Sequence, residues 1–267
     1  ANIRISDLEE RHGLHLMNVN HAMFSFAFAA SAFLTSLARK AGYAPVAIAP
    51  WVALACLAFA VLMIEGKGWQ PGPPDAEDKH AAGSPWAVIL PAAAILFAAF
   101  VCENAAEVWS ALHIERTLGG AHGEGGLGPM MLGLTMGFGR LFGQFAAMRM
   151  GEAKLVIASA VVGVVGAVVI AVAPTQAVVM IGVGLLGLGV AVVVPSANSI
   201  LGRLVPADLR GFAISRAWMV GFTGFFIGPT LIGLISDMTN LRVAFGVVAV
   251  FMAAIIPAVR LMQRRGG

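Results

Sequence analysis

LVIASAVVGVVGAVVIAVAPTQAVVMIGVGLLGLGVAVVVPSANSILG, residues 155–202, runs for 48 positions without an Asp, Glu, Lys or Arg. An α-helix needs about 20 mostly apolar residues to cross roughly 30 Å of hydrocarbon. The stretch is therefore too long for one crossing and right for two, with Pro174, Thr175 and Gln176 supplying the turn of a helical hairpin. Outward from it, four more stretches carry no formal charge: 41–64, 80–102, 217–236 and 243–259. Two further apolar stretches hold one interior polar residue each, His21 in the first and Arg140 in the other.

Eight spans result, at about 14–38, 44–64, 86–114, 127–148, 154–172, 177–202, 212–236 and 242–262. The expected fold is all-α, a polytopic membrane helix bundle. Composition agrees: of 267 residues 59% are hydrophobic and 12% charged, about half the roughly 25% of a soluble domain. Disorder, collagen and disulfide scaffolds are excluded by the apolar content, by 32 glycines without a three-residue period, and by only two cysteines. The net charge of +3 comes from bases scattered singly between apolar runs, so no nucleic-acid face is expected.

Twelve basic residues fall on one side of the bilayer (Arg4, Arg11, Lys67, Lys79, Arg149, Lys154, Arg203, Arg210, Arg216, Arg260, Arg264 and Arg265) and four on the other (Arg39, Lys40, Arg116 and Arg242). The positive-inside rule then puts both ends of the chain in the cytoplasm of a cell with a cytoplasmic (inner) membrane. The polar, Pro- and Gly-containing stretch 65–85 reads as a cytoplasmic linker, dividing the chain into 1–64, with two spans, and 86–267, with six. The opening ANIRISDLEERHG has neither an initiator Met nor the apolar core of a signal peptide, and reads as the middle of a longer protein. The Gly-rich stretch 117–129 lacks the strand and spacing of a phosphate-binding loop. Glycines at 163, 166, 182, 184, 187, 189, 221, 224, 228 and 233 mark close helix contacts.

LMNVNHAMFSFAFAASAF (16–33), ENAAEVWSALHI (103–114), GFGRLFG (137–143) and GFFIGPTLIGLISDMTNLRVAF (224–245) resemble helices five, seven, eight and eleven-to-twelve of the major facilitator superfamily (MFS), in its sugar-permease-like, YbjJ-like branch. The resemblance implies the last eight of twelve helices, an incomplete MFS fold, with residues 1–64 ending the first half and 86–267 forming the second. It also implies transport of a small polar solute, sugar-like or an organic acid, by rocking of two halves around a midplane site. The family's loop signature survives only as Arg149, Met150 and Gly151, with Met148 where an acid belongs. A latch built on that acid is not expected. The Gly-Pro pair of antiporters is absent from 24–37, which favours proton-coupled symport or uptake over exchange; efflux and a non-transporting receptor or scaffold are the alternatives.

Glu103 and Glu107 are the sharpest signal, because a carboxylate at the centre of a membrane helix costs about 2.5–3.5 kcal/mol on insertion scales. Four residues apart, they share a helix face, and Ser110 follows on it. Two adjacent carboxylates in a low dielectric cannot both ionise cheaply, which suits a proton pathway. Counting rise puts Glu103 about 26 Å and Arg140 about 12 Å from the inner boundary, so direct pairing is not expected. Trp109 is expected in the outer aromatic belt. Arg140 needs an anionic or strongly polar partner, and shares a face with Gly133, Met136, Gly137, Gln144 and Ala147. His21 shares a stripe with Asn18, Ser25, Ala29, Ala32 and Ser36; by the resemblance, His21 and Arg140 approach across the cavity. Asn104, Asn198 and Trp218 complete the candidate solute and proton pathway. The remaining histidines are too scattered for a metal site, no cofactor is expected, and an intramembrane metalloprotease is disfavoured for want of HExxH; no enzyme activity is expected.

Overall fold

The computed structural model describes residues 17–61, 85–206 and 209–266. Within these residues the chain is helical and holds no strand. Its α-helical segments are α1 (Met17–Lys40), α2 (Pro45–Ala60), α3 (Trp86–Leu112), α4 (Leu127–Met150), α5 (Glu152–Val172), α6 (Gln176–Ala191), α7 (Val193–Leu204), α8 (Arg210–Gly221), α9 (Thr223–Met238) and α10 (Leu241–Gly266). Because α6 runs on into α7 and α8 into α9, the described segments make eight rods, the number expected from the apolar spans. Among the described residues six stretches are long and apolar enough to cross a membrane: Val19–Lys40, Trp86–Thr117, Glu152–Val172, Gln176–Leu204, Arg210–Met238 and Leu241–Arg264. Of the other two rods, α2 has 16 residues, and α4 carries Arg140, Gln144 and Arg149. The expected linker lies outside the described residues except Pro85, which caps α3.

Local chemistry explains the breaks. Pro195 has no N–H, so the carbonyl of Ala191 loses its helical donor, and α6 ends there, with Val192 at φ −105°. Near Phe222, Thr223 Oγ1 donates to the carbonyl of Val220 at 2.7 Å while Gly221 and Gly224 flank the break. The hairpin turn forms where Pro174 predicts it, and Thr175 accepts from the N–H of Val178 at 3.5 Å. Gly151 alone joins α4 to α5, at φ +79°, a conformation that favours glycine.

The packing follows the glycines. A methyl group added at Gly189 would lie 2.5 Å from Gly163 Cα, so α5 and α6 meet backbone to backbone. The centre of the bundle is α3, buried along most of its length against α4 and α7 to α10. Gly224 seats against Phe97 and Gly228 against Val101, locking α9 onto it. Buried Cys102 brings Sγ to 3.5 Å from the carbonyl of Val248 on α10, whereas Cys56 is exposed on α2. At the other edge, α1 lies along α4: Gly126 faces Ala32 and Ser36, and Gly133 faces Ser25, Phe28 and Ala29. Beyond it, α2 buries none of its residues.

Candidate functional site

A residue every fourth position returns to the same helix face, so α3 presents Phe100, Glu103, Asn104 and Glu107 on one broad face. A neighbouring face is taken by Val101 against Gly228 of α9, while Ser110, two turns past Glu103 on the same face, packs against Gly128 of α4. Glu103 therefore looks toward α4. There Arg140 Nη2 lies 3.6 Å from Glu103 Oε1, each side chain 15% exposed. The same guanidinium turns its Nη1 to α1, donating to Ser25 Oγ at 2.5 Å and to the backbone carbonyl of His21 at 3.3 Å. Ser25 in turn donates to that carbonyl at 3.0 Å. One cation thus ties three helices, and its planar fork can serve several acceptors at once.

The pairing of Arg140 with Glu103 corrects the expectation from depth. Rise along an axis places a Cα on its own helix; it ignores tilt, which averages about 20° in membranes, and the reach of the long Arg and Glu side chains. His21 approaches Arg140 as the resemblance implies, but contributes its backbone carbonyl. The stripe on α1 divides: Ser25 and Ala29 pack directly on α4, and Ala32 and Ser36 on the turn that leads into it. Helix α1 includes Asn18, whose side chain lies outside the described residues.

Toward the Met150 end of α4, a cavity of about 260 Å³ opens between α4 and α7. Arg140, Gln144 and Ala147 line it from one side and Pro195, Ser196 and Ser199 from the other, with Glu152 at one end. Of the face expected to share a lining with Arg140, Gly133 and Gly137 pack instead against α1, on Phe28 and Phe26. Asn198 Oδ1 accepts from Trp218 Nε1 at 3.1 Å, and Trp218 packs 5.5 Å, centroid to centroid, from Phe100. Along α3 and just past its end, Asn104 Oδ1, Trp109 Nε1, Ser110 Oγ and His113 Nδ1 are buried with no hydrogen-bond partner among the described residues. Trp109 is a second correction: it turns into the bundle against Gly233 rather than joining an outer belt. No group of three His, Cys, Asp or Glu positioned for a metal occurs among the described residues.

Sequence reasoning missed three participants. Ser25, read only as one small residue in a stripe, is a direct partner of Arg140. Glu152 pairs with Arg203 of α7, so an acid one residue beyond Gly151 joins α5 to α7 where the loop signature has Met148. Glu115 Oε1 accepts from the N–H groups of Gly123 and Gly125 at 3.1 and 3.3 Å. The Gly-rich stretch does cradle an anion, the chain's own.

The sequence model of the Major Facilitator Superfamily matches residues 92–266. The chain belongs to this superfamily. An uncharacterized MFS-type transporter of Yersinia pestis is 24% identical over 265 residues, 98% of this chain and 68% of the relative. An uncharacterized transporter of Sinorhizobium fredii is 29% identical over 163 residues, 60% of this chain but 42% of its own length. Among solved structures, a peptide transporter in complex with alafosfalin matches with a TM-score of 0.61 at 19% identity, covering 71% of this chain and 40% of that one. The Escherichia coli fucose:proton symporter matches with 0.59 at 17%, covering 79% and 53%. These likenesses show the fold of an MFS bundle, of which this chain spans part of the length.

Proposed function

We propose that the chain is the larger part of a twelve-helix transporter that moves a small polar solute, sugar-like or an organic acid, across the cytoplasmic membrane by alternating access, coupled to protons in symport or uptake. Residues 1–64 are the last two helices of the first half, 65–85 the cytoplasmic linker and 86–267 the second half. The Lys40 end of α1 faces outward, as the twelve-to-four split of basic residues favours.

One observation carries the reading: Arg140 holds Glu103 of α3 and Ser25 of α1 together, across the seam between the two proposed halves. A proton arriving on Glu103 removes the anion that Arg140 faces. The guanidinium keeps its charge, so it is left facing the cavity in want of an acceptor, which a solute hydroxyl or carboxylate supplies. Glu107, one turn from Glu103, passes the proton along the same face. Losing it reverses the exchange and releases the solute. Lipid, solute and protons are what this cycle needs.

The test uses the complete protein in proteoliposomes, with lumenal pH followed while a panel of monosaccharides and short organic acids is offered under a proton gradient. The wild type acidifies the lumen with its solute and Glu103→Gln does not. Solute-dependent acidification that persists in Glu103→Gln sinks the coupling role.

A further inference from the structure

The loop between α3 and α4 is tied down by side chains that the transport cycle above leaves unused. Ser36, itself buried on α1, donates from Oγ to the carbonyl of Gly123 at 2.5 Å. Four residues on, Lys40 Nζ lies 3.7 Å from Glu124 Oε1. The loop backbone lies flat on the last turn of α1: a Cβ at Gly123 would stand 2.8 Å from the Ser36 carbonyl and 2.9 Å from the backbone N of Lys40. Gly123 adopts φ +91°, so the contact requires the missing side chain and a conformation that favours glycine. From below, Glu115 gathers the N–H groups of Gly123 and Gly125, and Glu124 closes back on the N–H of Ala121 at 3.1 Å. A 3-10 turn, Glu124–Gly126, then leads directly into α4.

We propose that this loop is the outer gate, clamped shut in the structure on α1 by Ser36 and Lys40, and that Glu115 is its positioning residue. The proposal rests on the transporter reading, which assigns α1 and the loop to opposite halves and this end to the outside. Halves that rock around a midplane site must part here when the site opens outward. The arrangement is asymmetric in the required sense: contacts seal α1 to the loop and to α4 from Lys40 down to Arg140, while the cavity opens beyond Arg140, toward the Met150 end of α4. Glu115 touches neither solute nor α1. It acts by holding two amides so that the Gly123 carbonyl presents itself to Ser36. Charge-assisted bonds from backbone N–H groups are the stronger kind, so the loop keeps its shape whether or not the clamp is closed. At the loop itself, what breaks on opening is one hydroxyl bond and one partly exposed ion pair, a weak tie beside the α1–α4 packing that parts with it.

The test uses the complete protein carrying Cys56→Ser and Cys102→Ala, with Lys40→Cys and Glu124→Cys as a linkable pair. A short bifunctional thiol reagent should join the pair in the resting protein and stop uptake, and a reducible version of the reagent should release it. Uptake that continues in fully linked protein overturns the gate, as does failure of the pair to link. Separately, Ala29→Cys, buried where α1 meets Gly133, reports opening without any solute. Ser36→Ala with Glu124→Gln should raise its labelling from outside by about tenfold, from the loss of a hydrogen bond and an ion pair. Glu115→Ala should do the same, whereas Glu115→Gln, which keeps an acceptor oxygen, should largely restore protection. Labelling unchanged in all three overturns the proposal. If labelling responds but no solute is ever taken up by the unlinked protein, the gate stands and the transport reading fails.

Discussion

Removing either member of the Arg140 and Glu103 pair should destabilise the bundle, and removing both should cost much less than the sum. At the observed 3.6 Å, Coulomb's law with an effective dielectric of about 20 gives an attraction of about 4.6 kcal/mol. Breaking a buried pair from one side costs about 3–5 kcal/mol, because the surviving charge stays buried without its counterpart. The two single losses are unequal. In Arg140→Gln the orphaned carboxylate can bind a proton and become neutral. In Glu103→Gln the guanidinium cannot lose its charge and keeps only neutral acceptors, Ser25, the His21 carbonyl and the new amide oxygen. Glu103→Gln should therefore be the more damaging, and Arg140→Gln should recover part of its stability on acidification. The double variant replaces the ion pair by two amides that can bond each other, leaving a coupling of about 2–3 kcal/mol in the cycle. The measurement is thermal unfolding of the complete protein and its three variants in one detergent, at two pH values. Additivity within about 0.5 kcal/mol would refute the reasoning, since neighbours in one network are expected to deviate from it by more.

Two further outcomes follow from packing and hydrogen bonding. Gly189→Ala drives a methyl to 2.5 Å from Gly163 Cα and 2.6 Å from its N, so α5 and α6 must part by about 1 Å to restore contact; a loss of about 1–3 kcal/mol is expected. Gly184→Ala, meeting only Met131 and Thr135 side chains at 3.5 Å, should be neutral or stabilise by about 0.5–1 kcal/mol; the paired melting temperatures check the contrast. Trp218→Phe keeps the ring against Phe100 but frees Asn198, so it should cost about 0.5–1.5 kcal/mol and shift solute KM more than maximal rate in the uptake assay.

The helices were legible in the sequence because the bilayer demands a length without charge, and the run 155–202 with Pro174 in it admits one solution. The break before Pro195, inside the expected span 177–202, has a local cause in the missing N–H, whereas Pro50, Pro91, Pro229 and Pro257 lie inside helices. The candidate site was legible only as a set of costly residues. Which of them meet depends on tilt and helix rotation, neither of which leaves a trace in one chain's spacing; hence Arg140 found Glu103 against the depth count. Trp109 went astray for the same reason, since Gly233, 124 positions later, decides where its ring rests. Glu152 differs. An acid stood in plain view one residue past Gly151, and weighing it as a displaced partner would have found the link to Arg203. Glu115 offered no such sign, because its partners are backbone amides of a loop that the sequence marks only by its glycines.

The break at Val192 gives α7 a mechanical property. Pro195 removes the hydrogen bond that would splice α7 to α6, so the twelve residues of Val193–Leu204, about 18 Å long, form a lever with its fulcrum beside the cavity. A swing of about 10° there would carry the Arg203 tip by roughly 3 Å, the width of a water molecule. That tip is tied by Arg203, a largely exposed side chain, to Glu152, and exposed ties of this kind are weak. The lower wall of the cavity can thus widen and narrow by a hinge within one rod, with no need for the α5–α6 glycine seam to slip.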